Sequence, residues 1–147
     1  MAIFNKIVLE DMNKELNEVR HKEPYKELKT NNKSKITCDK KYDELFRSRE
    51  SSIVMVSFYG QVINIFTCRC SFSFQKVLVL PLLLNKSNLS ISINELLSDY
   101  FQEEKIQFET KCYNCGNKTA HIRETKSSQP PNNLILSLKR INRKTQR

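Results

Sequence analysis

Two cysteine pairs constrain this chain more than anything else in it. Cys68 and Cys70 form a Cys-x-Cys in "TCRCS", Cys112 and Cys115 form a Cys-x-x-Cys in "KCYNCG", and 41 residues separate the pairs. Each pair follows a segment that reads as a strand. Zinc takes four soft ligands in a tetrahedron, and two strand-end knuckles supply two thiolates each, which is the logic of a zinc ribbon. The redox reading of Cys-x-x-Cys requires a helix N-terminus behind the motif to lower the thiol pKa. Here Gly116-Asn117-Lys118-Thr119 follows Cys115, without an amphipathic helix. The remaining alternative is cysteines that are simply buried. The one-residue spacing of the first pair puts both of its sulfurs on one side of an extended strand.

The other candidate groups are few. Cys38 lies in a charged stretch without a neighbouring cysteine and reads as a free thiol. The only histidines are His21, near the end of the first helix, and His121, six residues past Cys115. Both read as surface or packed side chains rather than ligands. A nucleophilic Cys–His pair needs the base within hydrogen-bond reach of the thiol, and nothing in the pattern pairs Cys38 with either histidine.

Along the chain, Ile3, Phe4, Ile7, Val8, Met12, Leu16 and Val19 recur every three or four residues and predict an amphipathic helix of about five turns before Pro24. Residues 22–50 are charged and poor in apolar groups, and read as a linker or insertion with a short helix at 42–46. From residue 52 the character changes. "IVMVSFYGQVINIFT" and "KVLVLPLLL" are β-branched, aromatic and interrupted by Gly60 and Pro81, as strands are. Ser92-Ile93-Asn94-Glu95 has the form of a capping box and opens a second short helix. "KIQFETK" alternates as a strand into the second cysteine pair, and "LILSL" after Pro130-Pro131 is a further strand. This order predicts an α+β fold with a mainly antiparallel sheet.

Charge narrows the partners. The chain carries a formal +9, and residues 51–147 hold 13 basic against 6 acidic side chains. Such a balance favours phosphate or acidic protein surfaces, or merely solubility. The N-terminus has Glu10, Asp11 and Glu15 where a secretory signal needs an apolar core, and the longest apolar run, "VLVLPLLL", is far short of the ~20 residues that span a bilayer. Five cysteines without an export signal predict a reducing, intracellular setting and no membrane partner.

With both cysteine pairs, the capped helix and "PPNNLILSLKR" in view, the chain resembles the ubiquitin-specific protease family of deubiquitinases. The resemblance is closest from Ile91 to Arg140. There "SINELLSDYFQEEKIQFETKCYNC" resembles the family's capped helix, acidic turn and strand into the second zinc knuckle. "GNKTAHIRETKSSQPPNNLILSLKR" resembles the strand after that knuckle and the family's final Leu-Ile-Leu-x-Leu-Lys-Arg strand. The opening helix "FNKIVLEDMNKELNEV" is similar to the helix just after the family's Gln-Asp-Ala-x-Glu-Phe box.

The resemblance implies three regions: residues 1–21 as a helix of the catalytic domain, 22–50 as a charged insertion, and 51–147 as fingers and palm strands. It implies zinc-ribbon-like fingers that grip ubiquitin, within an incomplete papain-like cysteine protease domain. The zinc ligands it implies are Cys68, Cys70, Cys112 and Cys115. The family's catalytic cysteine box and Gly-His-Tyr segment do not occur in these 147 residues. A thiol protease needs nucleophile, base and orienting group together, so the chain alone is expected to bind ubiquitin or ubiquitinated proteins and to hydrolyse nothing. The alternative is a free-standing basic zinc ribbon that binds nucleic acid through Lys139, Arg140, Arg143, Lys144 and Arg147.

Overall fold

The computed structural model describes residues 2–28, 33–66, 72–84, 90–111, 116 and 118–140. Its first element, α1 (Ala2–Glu15), is shorter than the apolar stripe predicts, because the helix stops where Asn17 turns inward. Asn17 accepts from the backbone N–H of Val19 and of Ser51, and donates to the Arg49 carbonyl and to Glu50 Oε2. Asn13, one turn earlier, donates to the same Glu50 oxygen and accepts from Ser52 Oγ at 2.6 Å. Both asparagines are buried, while Ile7, Val8, Met12 and Leu16 are exposed. An apolar stripe normally faces the core; here Asn13 and the adjoining Asn17 fasten the helix, and Ile7, Val8 and Met12 of the stripe face solvent.

Residues 22–50 do not form a bare linker. The short helix expected at 42–46 is a 13-residue helix, α2 (Lys35–Arg47), capped by Ser34, whose hydroxyl accepts from Thr37 N at 3.1 Å. Cys38, Tyr42 and Leu45 fall on its inward side at helical spacing, and Cys38 is almost fully buried. The stretch expected to be one strand-rich run begins instead as a helix, α3 (Ile53–Phe58), with Ser52 as N-cap. A short apolar run cannot be assigned by periodicity alone. Ser52 decides it here, because its hydroxyl serves both the cap and Asn13.

After α3 the chain extends into β1 (Gly60–Phe66), then β2 (Phe72–Val77), β3 (Val79–Leu84), α4 (Ile93–Tyr100), β4 (Glu104–Lys111), β5 (Lys118–Gln129) and β6 (Ile135–Arg140). Gly60 lies where the chain after β5 passes closest: a β-carbon there would sit 2.8 Å from Pro131 Cδ and 3.2 Å from the Gln129 carbonyl. The capping box of α4 forms as predicted. Ser92 Oγ accepts from Glu95 N at 3.2 Å, and the Glu95 carboxylate accepts from Ser92 N at 2.7 Å. Those bonds hold the Glu95 carboxyl below its ordinary range.

The α+β expectation with a mainly antiparallel sheet holds. Four strands form an antiparallel sheet in the order β2-β1-β5-β4, and β3 pairs with β6 in a separate parallel pair that the sequence did not announce. Two apolar cores result. Cys38 of α2 packs with Ile63, Ile65, Phe72 and Phe74 on one face of the larger sheet, with Tyr42 stacked on Phe74. Leu80, Leu82 and Leu96 form the second core, between the parallel pair and α4.

Candidate functional site

The larger sheet presents two faces of opposite character. Side chains alternate along a strand, and directly opposed residues share a face. Ile63 and Ile65 pair with Phe74 and Phe72, and this face is closed by α2. The other face carries Asn64, opposed by Ser73 and Thr125, and Val62, opposed by Gln75 and Ser127. Thr125 Oγ1 donates to Asn64 Oδ1 at 2.9 Å. Near Val62 this face borders a cavity of about 170 Å³ shared with Leu80, Leu97 and Phe101. The face opens to solvent at Ser73, Gln75, Arg123 and Ser127, all exposed, with Ser127 also bordering the cavity. Arg123, opposite Phe66, pairs with the Glu104 carboxylate across the β4–β5 ladder.

The same sheet brings the two cysteine-bearing connections to one end. The β1–β2 ladder ends at Ile65↔Phe72, and the β4–β5 ladder ends at Lys111↔Lys118. Because β5 is antiparallel to both β1 and β4, both hairpins turn at the same end of the sheet. They do not end level. Phe66 is opposite Arg123, and the β4–β5 ladder runs five residues further along β5, about 17 Å at ~3.4 Å per residue. β4 is irregular between Lys105 and Glu109. Cys68, Cys70, Cys112 and Cys115 themselves lie outside the described residues, as do residues 141–147 with Arg143, Lys144 and Arg147. Among the described residues no group of three or more His, Cys, Asp and Glu side chains has a metal-binding arrangement.

The other sequence candidates separate. Cys38 is a free thiol buried at the sheet–α2 junction among Ile63, Ile65, Phe72 and Phe74, closed to any substrate. His21 is exposed in the segment after α1, and His121 falls within β5. Sequence reasoning did not single out the acid–base pair that ties α2 to β2. Lys76, 6% exposed, donates to Asp43, which also accepts from Arg47 at 2.7 Å. Burial pushes the Asp43 carboxyl up, but the hydrogen bonds and charges of Lys76 and Arg47 outweigh it and hold the carboxyl below its usual value. Tyr42, Tyr59 and Tyr100 are all pushed up, chiefly by burial. Among the described residues no helix is long and apolar enough to cross a membrane.

No protein-family model and no curated protein matches the sequence. Solved structures do match. A chain of the SAGA DUB module Ubp8/Sgf11/Sus1/Sgf73 superimposes with a TM-score of 0.61 at 16% identity, covering 92% of this chain and 27% of that one. The same module bound to monoubiquitin gives 0.53 at 18% identity, over 69% of this chain and 26% of the other. A yeast SAGA DUB module with an Sgf73 mutant gives 0.52 at 20%, over 66% and 24%. The likeness is one of fold. The chain spans about a quarter of the length of the solved chains it matches.

Proposed function

We propose that this chain is the fingers-and-palm portion of a deubiquitinase of the ubiquitin-specific protease type, and that it holds ubiquitin on the open polar face of its four-stranded sheet. The observation that carries this reading is the agreement of two lines. The motif resemblance from Ile91 to Arg140 and the fold likeness to DUB-module chains, one of them bound to monoubiquitin, lead to the same assembly. The exposed hydroxyl, amide and guanidinium groups of Ser73, Gln75, Arg123 and Ser127 suit a hydrated protein–protein contact. The papain-like catalytic context enters only as the ancestry of this portion. With no catalytic cysteine box or Gly-His-Tyr segment in its 147 residues, the chain alone binds and does not cut.

Titration of the purified chain with fluorescently labelled ubiquitin is expected to give saturable binding, while a fluorogenic ubiquitin substrate stays intact and a reactive ubiquitin probe forms no adduct. Absence of binding at millimolar ubiquitin would remove the recognition role. Salt-steep binding to DNA in its place would favour the basic-ribbon alternative, because counterion release drives phosphate contacts.

Zinc is part of the same reading. Four thiolates from Cys68, Cys70, Cys112 and Cys115 are a suitable donor set for a structural zinc, which would clasp the two hairpin ends. The five-residue offset between the described ends sets the condition: a shared ion requires the two cysteine-bearing connections to close that gap. Metal analysis of the purified chain is expected to find about one zinc per molecule, lost in Cys112→Ser. A metal-free chain with four freely titrating thiols at these positions would show that the offset prevails.

A further inference from the structure

The segment at 23–28 runs over α2 without joining a sheet, and between the two lies a cavity of about 250 Å³. Its walls are mostly apolar or aromatic: Tyr25, Leu28, Tyr42, Leu45 and Phe46. Four charged side chains border it, and three of them are already neutralised. Glu23 pairs with Lys26 at 2.8 Å. Glu50 pairs with Lys22 at 2.7 Å and accepts from Asn13 and Asn17. Arg49 remains. Its guanidinium donates to the Glu23 backbone carbonyl and lies 6.0 Å over the Tyr25 ring, and among the described residues it has no carboxylate partner.

We propose that this cavity is a binding site for a small monocarboxylate with an aromatic or branched aliphatic body, the body entering between Tyr42, Leu45 and Phe46 and the carboxylate meeting Arg49. The composition is that of a small-molecule site, largely apolar with one polar group that fixes orientation. A guanidinium offers paired N–H donors that match a carboxylate, and the contact strengthens beside apolar walls. One cation without an acidic partner, the other being taken by Glu23, suits a single negative charge and not a phosphate dianion. The burial that raises the Tyr42 hydroxyl reflects the same apolar surroundings. The site lies on α2 and the preceding segment, away from the open sheet face, and is independent of the deubiquitinase reading.

The test is an NMR titration of the full chain with 4-phenylbutyrate, its neutral amide and the matching 4-phenylbutylamine. The acid is expected to give saturable shifts centred on Tyr42, Phe46 and Arg49, with the amide about tenfold weaker and the amine weaker still. Arg49→Gln is expected to remove the preference for acid over amide, and Arg49→Lys to keep part of it. Tyr25→Ala, at a ring that is 75% exposed and therefore safe for folding, is expected to weaken all three compounds. No saturable shift by ~20 mM, shifts centred elsewhere, equal affinity for acid and amine, or an acid preference that survives Arg49→Gln would each overturn the proposal.

Discussion

Asp43→Ala is expected to destabilise the chain by about 3 kcal/mol and to lower its melting temperature by about 10 °C, measured by thermal or urea unfolding. The reason is asymmetric. Removing the carboxylate leaves the Lys76 ammonium, 6% exposed, with the Phe46 ring 5.3 Å away as its compensation among the described residues. Lys76→Met tests that logic from the other side. It fills the same apolar space and leaves Asp43 its partner Arg47, so stability is expected to stay within about 1 kcal/mol of the parent. Equal losses for the two variants would show that the pair itself, rather than the stranded ammonium, supplies the energy.

The pair also fixes a pH dependence. The Asp43 carboxyl is held below its ordinary value in the folded chain, so its contribution is complete above the unfolded pKa of about 4. It is lost as pH falls through the lower, folded value. The stability gap between parent and Asp43→Ala is therefore expected to narrow below about pH 4 and to stay flat from there to neutrality.

Leu82→Ala is expected to cost a further ~3 kcal/mol, again by unfolding, through the sum of lost transfer energy and the cavity left behind. Leu82 is completely buried and lies with Leu80 and Leu96 between the parallel pair and α4, so no neighbour on a mobile surface can fill the gap. Leu83, the next residue, is 52% exposed on the opposite side of β3, and Leu83→Ala is expected to change stability by under ~0.5 kcal/mol. The contrast between adjacent leucines checks the assigned face of the strand directly. A loss at Leu83 equal to that at Leu82 would mean that β3 is covered on both sides.

Elements whose local chemistry agrees with their tertiary role were readable from the sequence. The Ser92–Glu95 box, the alternation before Cys112 and the apolar run after Pro131 each announced α4, β4 and β6. Elements decided by distant partners were not. α3 is six residues of strand-forming composition turned helical by Ser52, which is committed to Asn13 on α1. α2 looked like a linker because its exposed side is so charged, although the Ser34 cap and the spacing of Cys38, Tyr42 and Leu45 could have revealed it. The parallel pairing of β3 with β6 was hidden because it joins segments more than fifty residues apart. At the candidate site, the polar sheet face was unreadable until strand register assigned Asn64, Ser73 and Thr125 to one side. The cysteine pairs announced themselves at once, and the register of their flanking strands adds the offset that a shared metal must bridge.

The inverted attachment of α1 bears on how the molecule comes apart. A helix secured largely through amide and carboxylate groups, with Ile7, Val8 and Met12 already wet, gives up chiefly its contact with α3 when it lifts away. Water can replace each of those bonds. The two cores are built from other elements, so α1 is the piece expected to open ahead of the sheets. Amide exchange in α1 is thus expected to run ahead of exchange in the sheets, hastened by solutes that compete for its hydrogen bonds.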